Sequence, residues 1–129
     1  MPPVPGLLLA VLVAAGVPGC VEAPPFIEST TRLSTTHDTE GPYIVHSVVS
    51  DVLRDDAVEL HYRVVGVREF IPLLMAEDND GERFRVGIPG RPAGTVIQYY
   101  VTVIRDGVRV ADDPPAAGAG PFQFDIQAP

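Results

Sequence analysis

Residues 58–65, VELHYRVV, alternate strictly, with Val58, Leu60, Tyr62 and Val64 on one side and Glu59, His61 and Arg63 on the other. A two-residue period is the mark of a strand buried on one face. It recurs along the chain, and no 3.6-residue period competes with it after residue 41. Further β-branched and aromatic runs lie at 43–50 (YIVHSVVS), 82–88 (ERFRVGI) and 121–127 (PFQFDIQ), the last pointing Phe122, Phe124 and Ile126 inward. The run at 95–104 (TVIQYYVTVI) is apolar on both faces and reads as the central strand, with either Tyr99 or Tyr100 in the core. At 69–75 (EFIPLLM), Pro72 lacks the N–H that a ladder needs, which assigns the run to an edge or a bulge. Asp80-Gly81 and Asp106-Gly107 each sit between strand-like runs and predict hairpin turns. The segment 111–121, ADDPPAAGAGP, is expected to be an unpaired loop. Together these features predict an all-β, two-sheet antiparallel sandwich of about six or seven strands over residues 41–127.

The stretch at 83–107, RFRVGIPGRPAGTVIQYYVTVIRDG, resembles the E strand, E–F loop and F strand of fibronectin type III and other immunoglobulin-like domains. Pro92, Gly94 and Thr95 match the turn, and Ile97, Tyr99, Val101 and Val103 match the inward positions. The chain has no Trp, so Leu60 or Tyr62 is expected to fill the volume of that family's buried indole, and Ile97 stands where its corner tyrosine is expected. The resemblance implies an immunoglobulin-like sandwich. It implies no particular ligand, because function in such folds resides in sites and not in the fold.

The first forty residues are of another kind. At 7–16, LLLAVLVAAG is long enough for the apolar core of a secretory signal and too short to span a bilayer. Gly19 then precedes Cys20, the only cysteine, and GVPGC resembles the lipobox of bacterial lipoproteins. That resemblance implies a signal peptide over 1–19 and a diacylglyceryl group on the Cys20 thiol. A plain secretory signal with an incidental cysteine is the alternative, since one cysteine makes no intramolecular disulfide. In STTRLSTTHDT, at 29–39, seven of eleven residues are Ser or Thr and one is a large apolar residue. So little apolar surface predicts a tether over 20–40, with Phe26 and Ile27 as an exception able to dock as an edge segment.

Cleavage before Cys20 leaves residues 20–129, enough for one domain with one core. Nine Arg against seventeen Asp and Glu give a net charge of −8, and an acidic chain without a basic stripe excludes nucleic acid as the expected partner. In AEDNDGERF, Glu77, Asp78, Asp80 and Glu82 are oxygen donors of the type calcium prefers, but their spacing is not that of an EF-hand loop, so the expected role is a solvated turn. His37, His46 and His61 have no HExxH spacing, although a hairpin of the first two strands would set His46 opposite His61. No Gly-x-Ser-x-Gly elbow, phosphate loop or dinucleotide fingerprint occurs. Without Trp, and with Tyr62 assigned to the core, Tyr43 is among the few aromatics left for stacking on a sugar.

These features lead to the expectation of a non-catalytic, cofactor-free domain anchored by Cys20 in the cell envelope, outside the cytoplasm, or else secreted. It would act as an interaction or spacer module with a protein partner, met at the edge around Pro72 or the 112–120 loop. The alternative is an accessory sandwich that binds glycan or calcium for a secreted hydrolase, with Asp78, Asp80 and Glu82 as metal ligands; calcium titration separates the two.

Overall fold

The computed structural model describes residues 23–78, 80–117 and 119–129. Nine strands are present among them: β1 (Phe26–Thr30), β2 (Tyr43–Ser50), β3 (Ala57–Val64), β4 (Ile71–Leu74), β5 (Ala76–Glu77), β6 (Arg83–Ile88), β7 (Val96–Arg105), β8 (Val108–Asp113) and β9 (Phe122–Asp125). One sheet has the order β1-β2-β6-β5 and the other β4-β3-β7-β8, with β9 also paired to β7. Every strand pairing is antiparallel. The chain is thus an all-β two-sheet sandwich, compatible with an immunoglobulin-like one.

The period-2 pattern sets which side chains fill the space between the sheets. Val58, Leu60 and Tyr62 of β3, and Ile97, Tyr99, Val101 and Val103 of β7, are buried against Val45 and Val49 of β2 and Ile88 of β6. Phe124 and Ile126 complete one end of this core, and Leu60 and Tyr62 do occupy it without an indole. β7 is central, flanked by β3 on one side and by β8 and β9 on the other. Pro72 lies on β4, the edge of its sheet, where a missing N–H costs no ladder bond. From there the chain changes sheets at Met75, whose N–H donates to Val58 O and whose side chain is buried.

The expectations for connections are met unevenly. Asp106 and Gly107 both have positive φ, 53° and 78°, as a two-residue hairpin between right-twisted strands requires. Around Asp80-Gly81 the hairpin is wider: Asp78 N–H donates to Arg83 O at 2.7 Å, and among the described residues of the turn Gly81 alone has positive φ. The 111–121 segment is not all loop. Ala111, Asp112 and Asp113 extend β8 and pair with Val103, Thr102 and Val101, and the turn begins at Pro114. An edge strand tolerates such polar residues because one of its margins stays in water.

The larger correction concerns the Ser/Thr-rich stretch. Phe26 and Ile27 dock as an edge segment, as expected, but residues 28–39 do not form a free tether and lie on the sandwich as well. β1 pairs along β2, Ile27 enters the core, and Leu33 packs against it. Thr36 bridges to Ile126, and Thr35 Oγ1 donates to Asp125 Oδ1 at 2.6 Å. At the end of this strap the backbone passes so close to the β6–β7 loop that a Cβ on Gly90 would overlap the Glu40 carbonyl. Composition argued for disorder because the strap carries few apolar side chains. It is ordered by backbone pairing and by hydroxyl partners on other strands.

Candidate interaction surface

Two buried tyrosines fasten the strap. Tyr99 OH donates to Thr31 O at 2.7 Å and accepts from Leu33 N–H at 2.8 Å. Tyr43 OH donates to Asp38 O and accepts from Arg91 N–H. Burial pushes the Tyr99 hydroxyl pKa up, partly offset by its bond from Leu33. Tyr99→Phe is expected to cost about 2 kcal/mol, since a half-buried N–H and C=O both lose their partner; urea unfolding of the variant measures it. A loss under ~0.5 kcal/mol would mean that water replaces the phenol and the strap needs no such fastening.

Where the strap begins, one pole of the sandwich is built around Arg105. β2 ends at Ser50, Asp51 turns the chain with φ 59°, and Leu53 N–H donates to Asp56 Oδ2 at 2.7 Å. That turn aims the Asp56 carboxylate at the end of β7, where Arg105 meets it with Nε to Oδ1 at 2.9 Å and Nη2 to Oδ2 at 2.8 Å. The same guanidinium donates to Asp51 O and, through Nη1, to Ala23 O at 3.2 Å. One side chain therefore joins the β2–β3 loop, β7 and the point where the chain enters the domain. The Asp56 side chain is 2% exposed. Hydrogen bonding from Arg105 lowers its pKa, against the opposing effect of burial. Phe26 and Val108, 62% and 59% exposed, lie at the starts of β1 and β8 beside this clamp.

The acidic turn belongs to the same pole, since Glu82 O accepts from Val49 N–H near the end of β2. Asp80 Oδ1 accepts from the N–H groups of Glu82 and Arg83, at 3.0 and 3.1 Å, and these bonds lower its pKa. The carboxylate is thereby engaged in closing the turn. Glu77, Asp78 and Asp80 line an open depression with Arg83, while Glu82 is exposed. Among the described residues, no group of three or more His, Cys, Asp or Glu is arranged to hold a metal ion. His46 and His61 do not face each other, because β2 and β3 belong to different sheets: His46 lies opposite Arg85, and His61 opposite Tyr100 and Pro72. His37 follows the Thr36–Ile126 bridge, with Nδ1 at 3.0 Å from Ala128 O.

On the outer face of the β4-β3-β7-β8 sheet the side chains gather around Tyr100. His61 stacks on its ring at 5.0 Å, Phe70 meets it edge-on at 5.0 Å, and the Arg109 guanidinium lies 5.1 Å from its centroid. Arg63 covers Phe70 at 4.2 Å and donates from Nε to Gln98 Oε1. Alternation along β7 separates the two adjacent tyrosines, Tyr99 inward and Tyr100 outward, yet neighbours leave Tyr100 only 5% exposed. All four tyrosines are buried, which corrects the expectation that Tyr43 is free to stack on a sugar. No protein-family model matches the chain, and no curated protein matches it.

Of the surfaces expected to meet a partner, the edge around Pro72 is the more open. Ile71 and Leu74 flank the proline and are 47% and 71% exposed. The loop after β8 is partly closed upon itself, with Ala119 and Gly120 N–H groups on Ala116 O and Ala117 buried. Cys20 and the signal segment expected over 1–19 lie outside the described residues. The Arg105–Asp56 clamp has one signal in the sequence, an acid just before a strand and an Arg ending another, which many unpaired residues share.

Proposed function

We propose that this chain is a bacterial lipoprotein: a non-catalytic interaction or spacer module of immunoglobulin-like form, held by a lipid on Cys20 outside the cytoplasm. The observation that carries this reading is the placement of the two ends of the domain. Ala23 is clamped by Arg105 at the C-terminal end of β7, whereas Ile126 and Gln127 lie at its N-terminal end, through bonds to Gly94, Thr95 and Thr36. A ten-residue strand separates these poles by about 30 Å. The sandwich therefore stands between an anchor at Cys20 and whatever its distal pole and β4 edge meet. The exposed Val65 and Val67 of the β3–β4 connection occupy the distal pole, and Ile71 and Leu74 lie on the β4 edge.

The accessory glycan or calcium reading gains no support from the site geometry, given the buried tyrosines and the engagement of Asp80 within its turn. Intact mass of the chain made in a lipoprotein-processing bacterial host is the test. The expected product begins at Cys20 and carries added acyl mass, which Cys20→Ala abolishes. A product cut elsewhere with a free thiol would replace the anchored reading with a soluble secreted one.

A further inference from the structure

We propose that the pole carrying Ala23, Phe26 and Val108 rests on the lipid surface itself, so that the domain is seated on the bilayer and not suspended above it. This rests on the anchored reading of Cys20. Two residues separate Cys20 from Ala23, and an extended chain spans at most about 3.6 Å per step, so over three steps the two lie within about 11 Å. The polar headgroup zone is about 5–8 Å deep on each side of a bilayer, which leaves almost no gap for a free linker. A tether of twenty residues would have allowed any orientation. The strap removes that freedom, because β1 begins at Phe26 and Arg105 holds Ala23 O against the end of β7.

The side chains presented at that pole suit such a seat. Phe26 projects from the start of β1, and Val108, which pairs with Arg105, projects from the start of β8. An exposed aromatic ring and an exposed aliphatic side chain at one end of the sandwich fit the boundary between headgroups and acyl chains. Asp51, Asp55 and Asp106 are exposed on the same pole, as are Asp80 and Glu82 of the acidic turn. They oppose contact with an anionic surface, so the seat is on zwitterionic headgroups, driven by the apolar contact and the covalent lipid. Acidic groups this near the bilayer lie within a Debye length of about 8 Å at physiological salt, so anionic lipid weakens the contact.

The chain contains no Trp, so a single introduced indole reports one position without background. Phe26→Trp and Val108→Trp place it on the proximal pole, and Val67→Trp on the distal one. All three positions are exposed, so the substitutions leave the core untouched. Each full chain, processed in a lipoprotein-competent host, is reconstituted on phosphatidylcholine vesicles with and without brominated acyl chains. Flotation reports the anchor, and quenching reports the pole. The expected result is co-flotation of all three, a blue shift and loss of most emission for Phe26→Trp and Val108→Trp, and unchanged emission for Val67→Trp. Floating protein in which the proximal indoles are quenched no more than Val67→Trp overturns the seated pole and leaves the anchor standing. Chains that do not float overturn the anchored reading, and the seat with it.

Discussion

A chain beginning at Gly41 is expected to be unfolded at 25 °C, although it retains every strand of the sandwich except β1. The strap it lacks supplies Ile27 and part of Leu33 to the core, each worth roughly 1.5–3 kcal/mol when fully buried. It also supplies the β1–β2 ladder, the two bonds to Tyr99 and the Thr35–Asp125 bond. At about 1 kcal/mol net for each hydrogen bond, the loss exceeds ~5 kcal/mol, comparable with the whole stability of a small domain. Deletion also leaves the Tyr99 hydroxyl and the margin of β2 that faces β1 in need of new partners. Thermal unfolding of chains starting at Ala23 and at Gly41 compares the two. A second variant, Ile27→Ala in the longer chain, keeps the ladder and removes the buried side chain, at an expected cost of about 3 kcal/mol. If the Gly41 chain melts within a few degrees of the longer one, the strap is dispensable and the tether reading of residues 20–40 returns.

Asp56→Ala is expected to cost about 3 kcal/mol, because it leaves the Arg105 guanidinium half-buried without its carboxylate and strips Leu53 N–H of its acceptor. Acid acts on the same pair. The Asp56 pKa is lowered in the folded chain, so its contribution is complete above the unfolded aspartate value of about 3.9 and disappears as pH falls through the lower folded value. Urea midpoints taken between pH 7 and pH 2 should therefore fall on the acid side in the parent and fall less steeply in Asp56→Asn. Asp80 and Asp125 have lowered pKa values as well, held by backbone and by Thr35 and Gln127 bonds respectively. They add slope of the same sign, but both are solvent-facing, so salt weakens their share more than that of Asp56. A parent and an Asp56→Asn variant with identical acid limbs would show that the clamp contributes nothing through its charge.

Several elements are legible in the sequence. The bounds of β2 coincide with the 43–50 run, and the inward set of β7 is the one the immunoglobulin-like resemblance implies, its own run being apolar on both faces. Pro72 reveals its edge position because a proline nitrogen has no hydrogen to offer a neighbour. Asp106-Gly107 reveals its turn because few residue pairs accept two positive φ values in succession. β8 was harder to read. Val108 to Asp113 is short and ends in two acids, and pairing with β7 makes it a strand where composition suggests a loop.

What the sequence determined by itself is local: the positions of most strands, the inward face of those apolar on one side, two of the turns, and an acidic, tryptophan-free composition. These follow from dihedral preference and a two-residue period, which act within a few residues. Only tertiary structure decided the rest. It put β2 and β3 into different sheets and so parted His46 from His61, and it turned Tyr99 into the fastening of a strap sixty-six residues away. It also brought Asp56, Arg105 and Ala23 together at one pole. Such pairings depend on which surfaces close over one core, and a strand's own alternation carries no record of its neighbour.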